Sequence, residues 1–269
     1  MILRLKMVYR IFIIGLLSAM SCHVTAESLY LQEINNTVLS ERQLAESKEK
    51  LAAHKDLEVR EKLDMPPFHK RGQLNASLEY NTCTTCHLSP PHTKSERTRT
   101  FMNMHTQFIA CESCHFRPKD KVLSYQWEDV RDGLSLKGKA KLFRQVQSTE
   151  EKPLERVKAL HSYYKITPFY KGEAAVLRKN SQFAQATKRI WEGGVEAEQI
   201  ERRALIHAPL EEKGPECSAC HDKDEQFLDL SKLGANTYQA NKIYNNIIAQ
   251  FFARYKDEES RLRIMRLLK

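Results

Sequence analysis

Three short stretches of this chain carry two cysteines and a histidine in one fixed order: Cys83-Thr-Thr-Cys86-His87, Cys111-Glu-Ser-Cys114-His115 and Cys217-Ser-Ala-Cys220-His221. Cysteine fills 7 of 269 positions and histidine 10. Random placement at those frequencies gives a C-x-x-C-H pattern in on the order of one chain in a hundred. Three occurrences are therefore not an accident of composition. The seventh cysteine, Cys22, lies in the N-terminal segment, so beyond it no cysteine stands outside a motif. Paired cysteines serve three chemistries: thiolate coordination of zinc, thiol–disulfide exchange, and covalent attachment of haem. A four-thiolate zinc centre from Cys83, Cys86, Cys111 and Cys114 would leave the third pair alone and the three histidines unexplained. Redox thiols sit after a strand in a βαβ setting, and no such setting is legible around any of the three pairs.

Haem attachment uses every residue of the pattern. On one helical turn, positions i, i+3 and i+4 share a face. Two sulfurs there reach the two vinyl groups of one haem edge, and the histidine reaches the iron as proximal ligand. With these motifs the chain resembles the multihaem c-type cytochromes, over roughly residues 69–121 and 207–221. The resemblance implies three covalently bound haem c groups. It also implies proximal iron ligands at His87, His115 and His221, and electron transfer between protein redox partners.

Each iron has a second axial position to fill. Outside the motifs, beyond residue 26, the chain offers His54, His69, His92, His105, His161 and His207, with Met65, Met102, Met104 and Met265 as alternatives. A second histidine keeps the potential low and a methionine raises it. His105 lies six residues before Cys111, on a face shared with Phe101, Met104 and Phe108 at helical spacing. His207 lies ten residues before Cys217, on a face with Ile200 and Ala204, and Pro209 closes that helix. Upstream histidines at such spacing supply distal ligands in the cytochromes this chain resembles. His69 stands fourteen residues before Cys83, and His92 follows the Pro90-Pro91 pair. These four are the candidate distal ligands. His161 reads as a core residue and His54 as part of a charged helix.

The remaining elements frame these residues in a mainly α, haem-wrapped fold with little strand. Residues 1–26 have a basic start (Arg4, Lys6, Arg10), an apolar run from Ile11 to Met20 and small residues at Val24-Thr25-Ala26. That is the pattern of a signal peptide cleaved near Ala26, which implies export to the periplasm. Cleavage would remove three basic residues from a formal charge of +9. No later stretch reaches transmembrane length. Residues 27–66 read as an amphipathic helical segment ended by Pro66-Pro67, and 67–269 as the three-haem domain. Within it, 122–206 reads as a helical insertion, clearest over residues 172–194, with Gly193-Gly194 as its stop. After the third motif, Ile243, Tyr244, Ile247, Ile248, Phe251, Phe252 and Tyr255 form an apolar stripe on an expected helix.

Lys70, Arg71, Lys94, Arg97, Arg99, Arg117, Lys119 and Lys121 surround the first two motifs, while Asp222, Asp224, Glu225 and Asp229 follow the third. Such patches steer encounter with charged protein partners, including a larger electron-transfer complex. Nucleic acid is a poor partner for an exported haem protein. The expectation is a periplasmic three-haem electron carrier. The alternative is a multihaem oxidoreductase, or a subunit of one, acting on a small oxyanion. It would have one open-site haem lined by groups such as Arg97, Tyr163 or His161.

Overall fold

A computed structural model describes residues 27–55, 82–87, 91–92, 101–131, 133–135 and 164–254, without the side chains of 54, 55 and 252–254. The described chain is mainly α-helical, with one small antiparallel sheet. Helix α1 (Leu29–Asn35) starts at the N-cap Ser28, whose hydroxyl accepts from the Leu31 N–H. Its apolar side, Leu29, Tyr30 and Ile34, is buried together with Phe116, Ala175 and Leu177. Tyr30 meets Phe116 with ring centres 4.9 Å apart, and both rings are almost fully enclosed. Burial of an aromatic of this size contributes roughly 2–3 kcal/mol each. Helix α2 (Glu41–Lys55) runs against helix α6 (Glu196–His207), where Ser47 donates to the Ile200 carbonyl at 2.8 Å. The N-terminal helices therefore pack on the segment that carries His207.

The expectation of a helical insertion from residue 122 onward needs correction. Strands β1 (Ser124–Asp129), β2 (Leu134–Ser135), β3 (Tyr164–Tyr170) and β4 (Glu173–Ala174) form a sheet of order β2-β1-β3-β4. The register pairs Trp127 with Ile166 and Tyr125 with Pro168. The sequence signal is the Lys171-Gly172 turn, with φ of 50° and 90° at its two central residues. Two left-handed residues joining strands twist the way a hairpin requires, and glycine takes the second of them without steric cost. Over 172–194 only helix α5 (Gln182–Gly193) is helical. Ser181 caps its start by accepting from the Ala184 N–H, and Gly194 ends it in the left-handed region at φ 70°.

Strand β3 is buried along Lys165–Phe169 because other segments cover it. Ala110 donates to the Ile166 carbonyl and Ile166 donates to the Phe108 carbonyl, at 3.0 and 2.8 Å. The backbone just ahead of the second motif is thus sewn to the sheet. A second core, Ile166, Leu228, Leu230 and Leu233, joins the sheet to the chain after the third motif. Trp127 reaches it through an indole N–H bond to the Leu233 carbonyl at 2.9 Å.

The expected C-terminal helix is broken. Helix α8 (Thr237–Tyr244) begins with a reciprocal Asn236–Gln239 capping box and stops at Asn245, and helix α9 (Ile247–Arg254) follows. Ile243 and Tyr244 pack on the second core, whereas Ile247 is 79% exposed. The break rotates the apolar stripe away from the core. Among the described residues, no helix is long and apolar enough to cross a membrane. The N-terminal 26 residues and residues 56–66 lie outside the described residues.

Candidate functional site

Each motif occupies a single tight turn. The first is a 3₁₀ turn, Thr82–Thr85, with the His87 N–H bonded to the Cys83 carbonyl at 2.9 Å. The second and third are one-turn helices, α4 (Cys111–His115) and α7 (Cys217–His221). Helical winding puts the two sulfurs and the imidazole of each on one side. Side chains fix the first two turns on the scaffold. Thr82 donates through its hydroxyl to the Leu177 carbonyl at 3.0 Å, and Ser113 to the Ile166 carbonyl at 2.7 Å.

No disulfide joins any of the six motif cysteines, and all are partly buried. Burial pushes the Cys86 thiol up, the Cys114 thiol up to about 11 and the Cys220 thiol up to about 12. Exchange-active cysteines are shifted the other way, towards thiolate. No cluster of three or more potential metal ligands occurs among the described residues, so the four-thiolate zinc centre is not assembled there. The arrangement instead brings histidines together in twos.

Each motif histidine faces one histidine from elsewhere in the chain. The ring centres are 6.0 Å apart for His87 and His207, 6.4 Å for His115 and His92, and 6.0 Å for His221 and His105. An iron between two imidazoles needs two metal–nitrogen bonds of about 2 Å and about 1.1 Å from each nitrogen to its ring centre, so about 6.2 Å in total. All three pairs match that span.

The proton positions agree. His105, His207, His115 and His221 direct Nδ1 at the carbonyls of Phe101, Arg203, Glu211 and Ile243, at 2.7, 2.8, 2.8 and 2.7 Å. A carbonyl only accepts, so each Nδ1 carries the hydrogen and each Nε2 keeps a lone pair. Burial lowers the pKa of His92 and His105, and lowers that of His207 to about 4. These imidazoles are neutral at neutral pH, as metal ligands must be. An iron between two such rings would take the Nε2 lone pairs, so the ring spacings and these tautomers fit three haems with two histidine ligands each.

The pairing is cyclic. His92, which follows the first motif, faces the second motif's histidine. His105, which precedes the second motif, faces the third's. His207, which precedes the third motif, faces the first's. The chain between His207 and Cys217 is stitched to the second motif. Glu211 donates to the His115 carbonyl at 2.8 Å, and Arg117 donates to the Lys213 carbonyl at 2.6 Å. Arg117 Nε is buried with no protein acceptor, which leaves a donor for an acidic group of a bound cofactor.

Between the first and second motifs sits Glu112, 2% exposed, with a carboxylate oxygen 4.0 Å from Cys83 Sγ. Burial, and then the neighbouring Cys111, push its carboxyl up to about 8, so it is protonated at neutral pH. Beside it, buried Glu128 pairs with Arg178. Buried Lys165 donates to the Thr106 and Gln107 carbonyls at 2.5 and 2.6 Å, and burial lowers its pKa to about 8. These polar groups were not singled out from the sequence, where Glu112 is merely a variable position of a motif.

His69, His161 and the His54 side chain lie outside the described residues, as do Met65, Met265, Lys70, Arg71, Lys94, Arg97, Arg99 and Tyr163. No protein-family model, no curated protein and no solved structure matches this chain.

Proposed function

We propose that this protein is a periplasmic three-haem c-type cytochrome that passes electrons between protein partners. The observation that carries the reading is the set of three histidine pairs at iron-spanning distance, each with one motif member. Bound haem supplies reversible one-electron ferric–ferrous chemistry. The chain's part is to fix spacing, potential and access. Cys83 and Cys86, Cys111 and Cys114, and Cys217 and Cys220 form the thioethers. His87, His115 and His221 are the proximal ligands, and His207, His92 and His105 respectively the distal ones. With both axial faces taken by imidazole, no face stays open for a substrate. That argues for a carrier over the oxyanion-reductase alternative.

The turns lie close enough for transfer among them. Glu112 of the second motif reaches Cys83 of the first, and the Tyr125 ring lies near both Cys114 and Cys220. The acidic residues Asp222, Asp224 and Glu225, exposed beside the third motif, fit a partner with a basic docking face. The basic cluster near the first two motifs fits an acidic one.

The test is the intact mass of the exported protein after acid–acetone extraction, with the EPR spectrum of its oxidised form. The expected result is a polypeptide heavier by three haems and only low-spin ferric signals. A bare polypeptide mass refutes the haem reading. A stoichiometric high-spin signal refutes the closed-site carrier and favours the reductase.

A further inference from the structure

We infer that Asn103 is a positioning residue that sets the ligand plane of the middle haem and makes that haem electronically distinct from the other two. The inference rests on the three-haem reading and concerns the pair His92–His115.

Asn103 is 7% exposed and makes three hydrogen bonds to one residue. The His92 backbone N–H donates to Asn103 Oδ1 at 3.0 Å, and Asn103 Nδ2 donates to the His92 carbonyl at 2.8 Å. Those two bonds fix which end of the amide is oxygen. The third contact, His92 Nδ1 to the same Oδ1 at 3.1 Å, therefore has the imidazole as donor. The amide thus grips both the backbone and the ring of His92. Among the described residues, the other distal histidines have no such clamp. His105 and His207 each bond a carbonyl four residues back in their own helical turn. His92 itself, with the described Pro91 before it, is outside any helix. Asn103 supplies from another segment what a helix supplies elsewhere.

The clamp coincides with a difference in ring orientation. The planes of His92 and His115 are 25° apart, against 62° for His87–His207 and 72° for His105–His221. Two axial imidazoles with parallel planes donate π density into the same iron d orbital. They split the two d orbitals that the porphyrin leaves nearly degenerate. Crossed planes donate into both and leave the pair nearly degenerate. Parallel pairs therefore give rhombic low-spin EPR signals, and crossed pairs give highly anisotropic ones. Second-shell hydrogen bonds also tune the basicity of a ligating histidine and with it the potential.

Asn103 opens helix α3 (Asn103–His105), two residues before His105, the distal partner of the third motif. Its side chain fixes one haem's ligand while its own turn carries the next haem's ligand. It is placed to position the ligands without touching iron itself.

The test is EPR and potentiometric titration of the oxidised, three-haem protein. The wild type should give one rhombic and two highly anisotropic low-spin signals. In Asn103→Ala the rhombic signal should shift or be lost, with the other two unchanged. Asn103→Asp keeps the acceptor for both His92 donors, gives up the donor to the His92 carbonyl and adds charge beside Nδ1. It should keep the rhombic signal and lower one potential of the three. If Asn103→Ala does not accumulate as holoprotein, the wild-type spectrum and Asn103→Asp decide. Three wild-type signals of one type, or variants with wild-type signals and potentials, would overturn the role of Asn103 while leaving three low-spin haems. A protein without low-spin haem would overturn the underlying reading instead.

Discussion

Glu112→Gln offers a stability test whose sign and size follow from burial. The carboxyl is 2% exposed and held up to about 8, against 4.5 for the ordinary group. The folded protein therefore keeps a proton on Glu112 across a window where the unfolded chain has lost it. The associated stabilisation is complete below pH 4.5 and is lost as pH rises through about 8. Each pH unit within the window changes stability by about 1.4 kcal/mol, so the whole span amounts to on the order of 5 kcal/mol. Burial, the larger cause, persists when Cys111 becomes a thioether and can no longer ionise. Glutamine is isosteric and does not ionise, so the variant should lack this slope. Denaturant unfolding followed by far-UV circular dichroism from pH 5 to pH 9 measures the difference. The two proteins should agree within about 1 kcal/mol at pH 5. The variant should be the more stable by several kcal/mol at pH 9. Histidines titrate in part of the same range but equally in both proteins, so they cancel. Parallel curves across the window would refute the reasoning.

Replacing His207, His92 or His105 by alanine should turn one low-spin haem high-spin and leave two unchanged, read by EPR. Lowered pKa values at those three residues mean that acid favours the unfolded chain. Stability present above pH 6.5, the ordinary histidine value, should therefore fall on acidification, observed as loss of the low-spin optical spectrum. Arg178→Ala should cost about 3 kcal/mol in denaturant unfolding, because it leaves the Glu128 carboxylate buried without its partner. Charge reversal at Asp222 and Asp224 should slow electron exchange with a basic partner protein at low salt and matter less at high salt, measured by stopped flow.

The motifs and the paired histidines were legible because their chemistry dictates local spacing. A thioether pair and its proximal ligand must share one turn, and His105 and His207 end short amphipathic runs. Which histidine faces which motif was not legible, since the partners lie between 23 and 120 residues apart. That choice is made by tertiary contacts such as Ala110 and Phe108 with Ile166. The helix α5 boundary at Gly194 was readable from a left-handed stop. The sheet was not read, because only its short turns at Gly133 and Lys171-Gly172 mark it locally and its two longer strands, β1 and β3, pair across about 40 residues. The break at Asn245 was hidden by a continuous apolar stripe, and polar caps on both sides of it overrode the periodicity. Asn103 escaped notice because a clamp of one side chain on a distant backbone leaves no periodic signature.

The cyclic exchange of histidines bears on how such a chain can be divided. A fragment ending before His207 deprives the first motif of its partner. One beginning after His105 deprives the third motif, and a cut between His92 and Cys111 parts the two ligands of the second. A short piece around residues 92–115 keeps both ligands of the second motif but carries off His105, the partner of the third, so on the three-haem reading the chain does not decompose cleanly into three single-haem modules. On that reading the first and third centres each draw a ligand from across the second motif, so either can be transplanted only with the segment that carries His207 or His105.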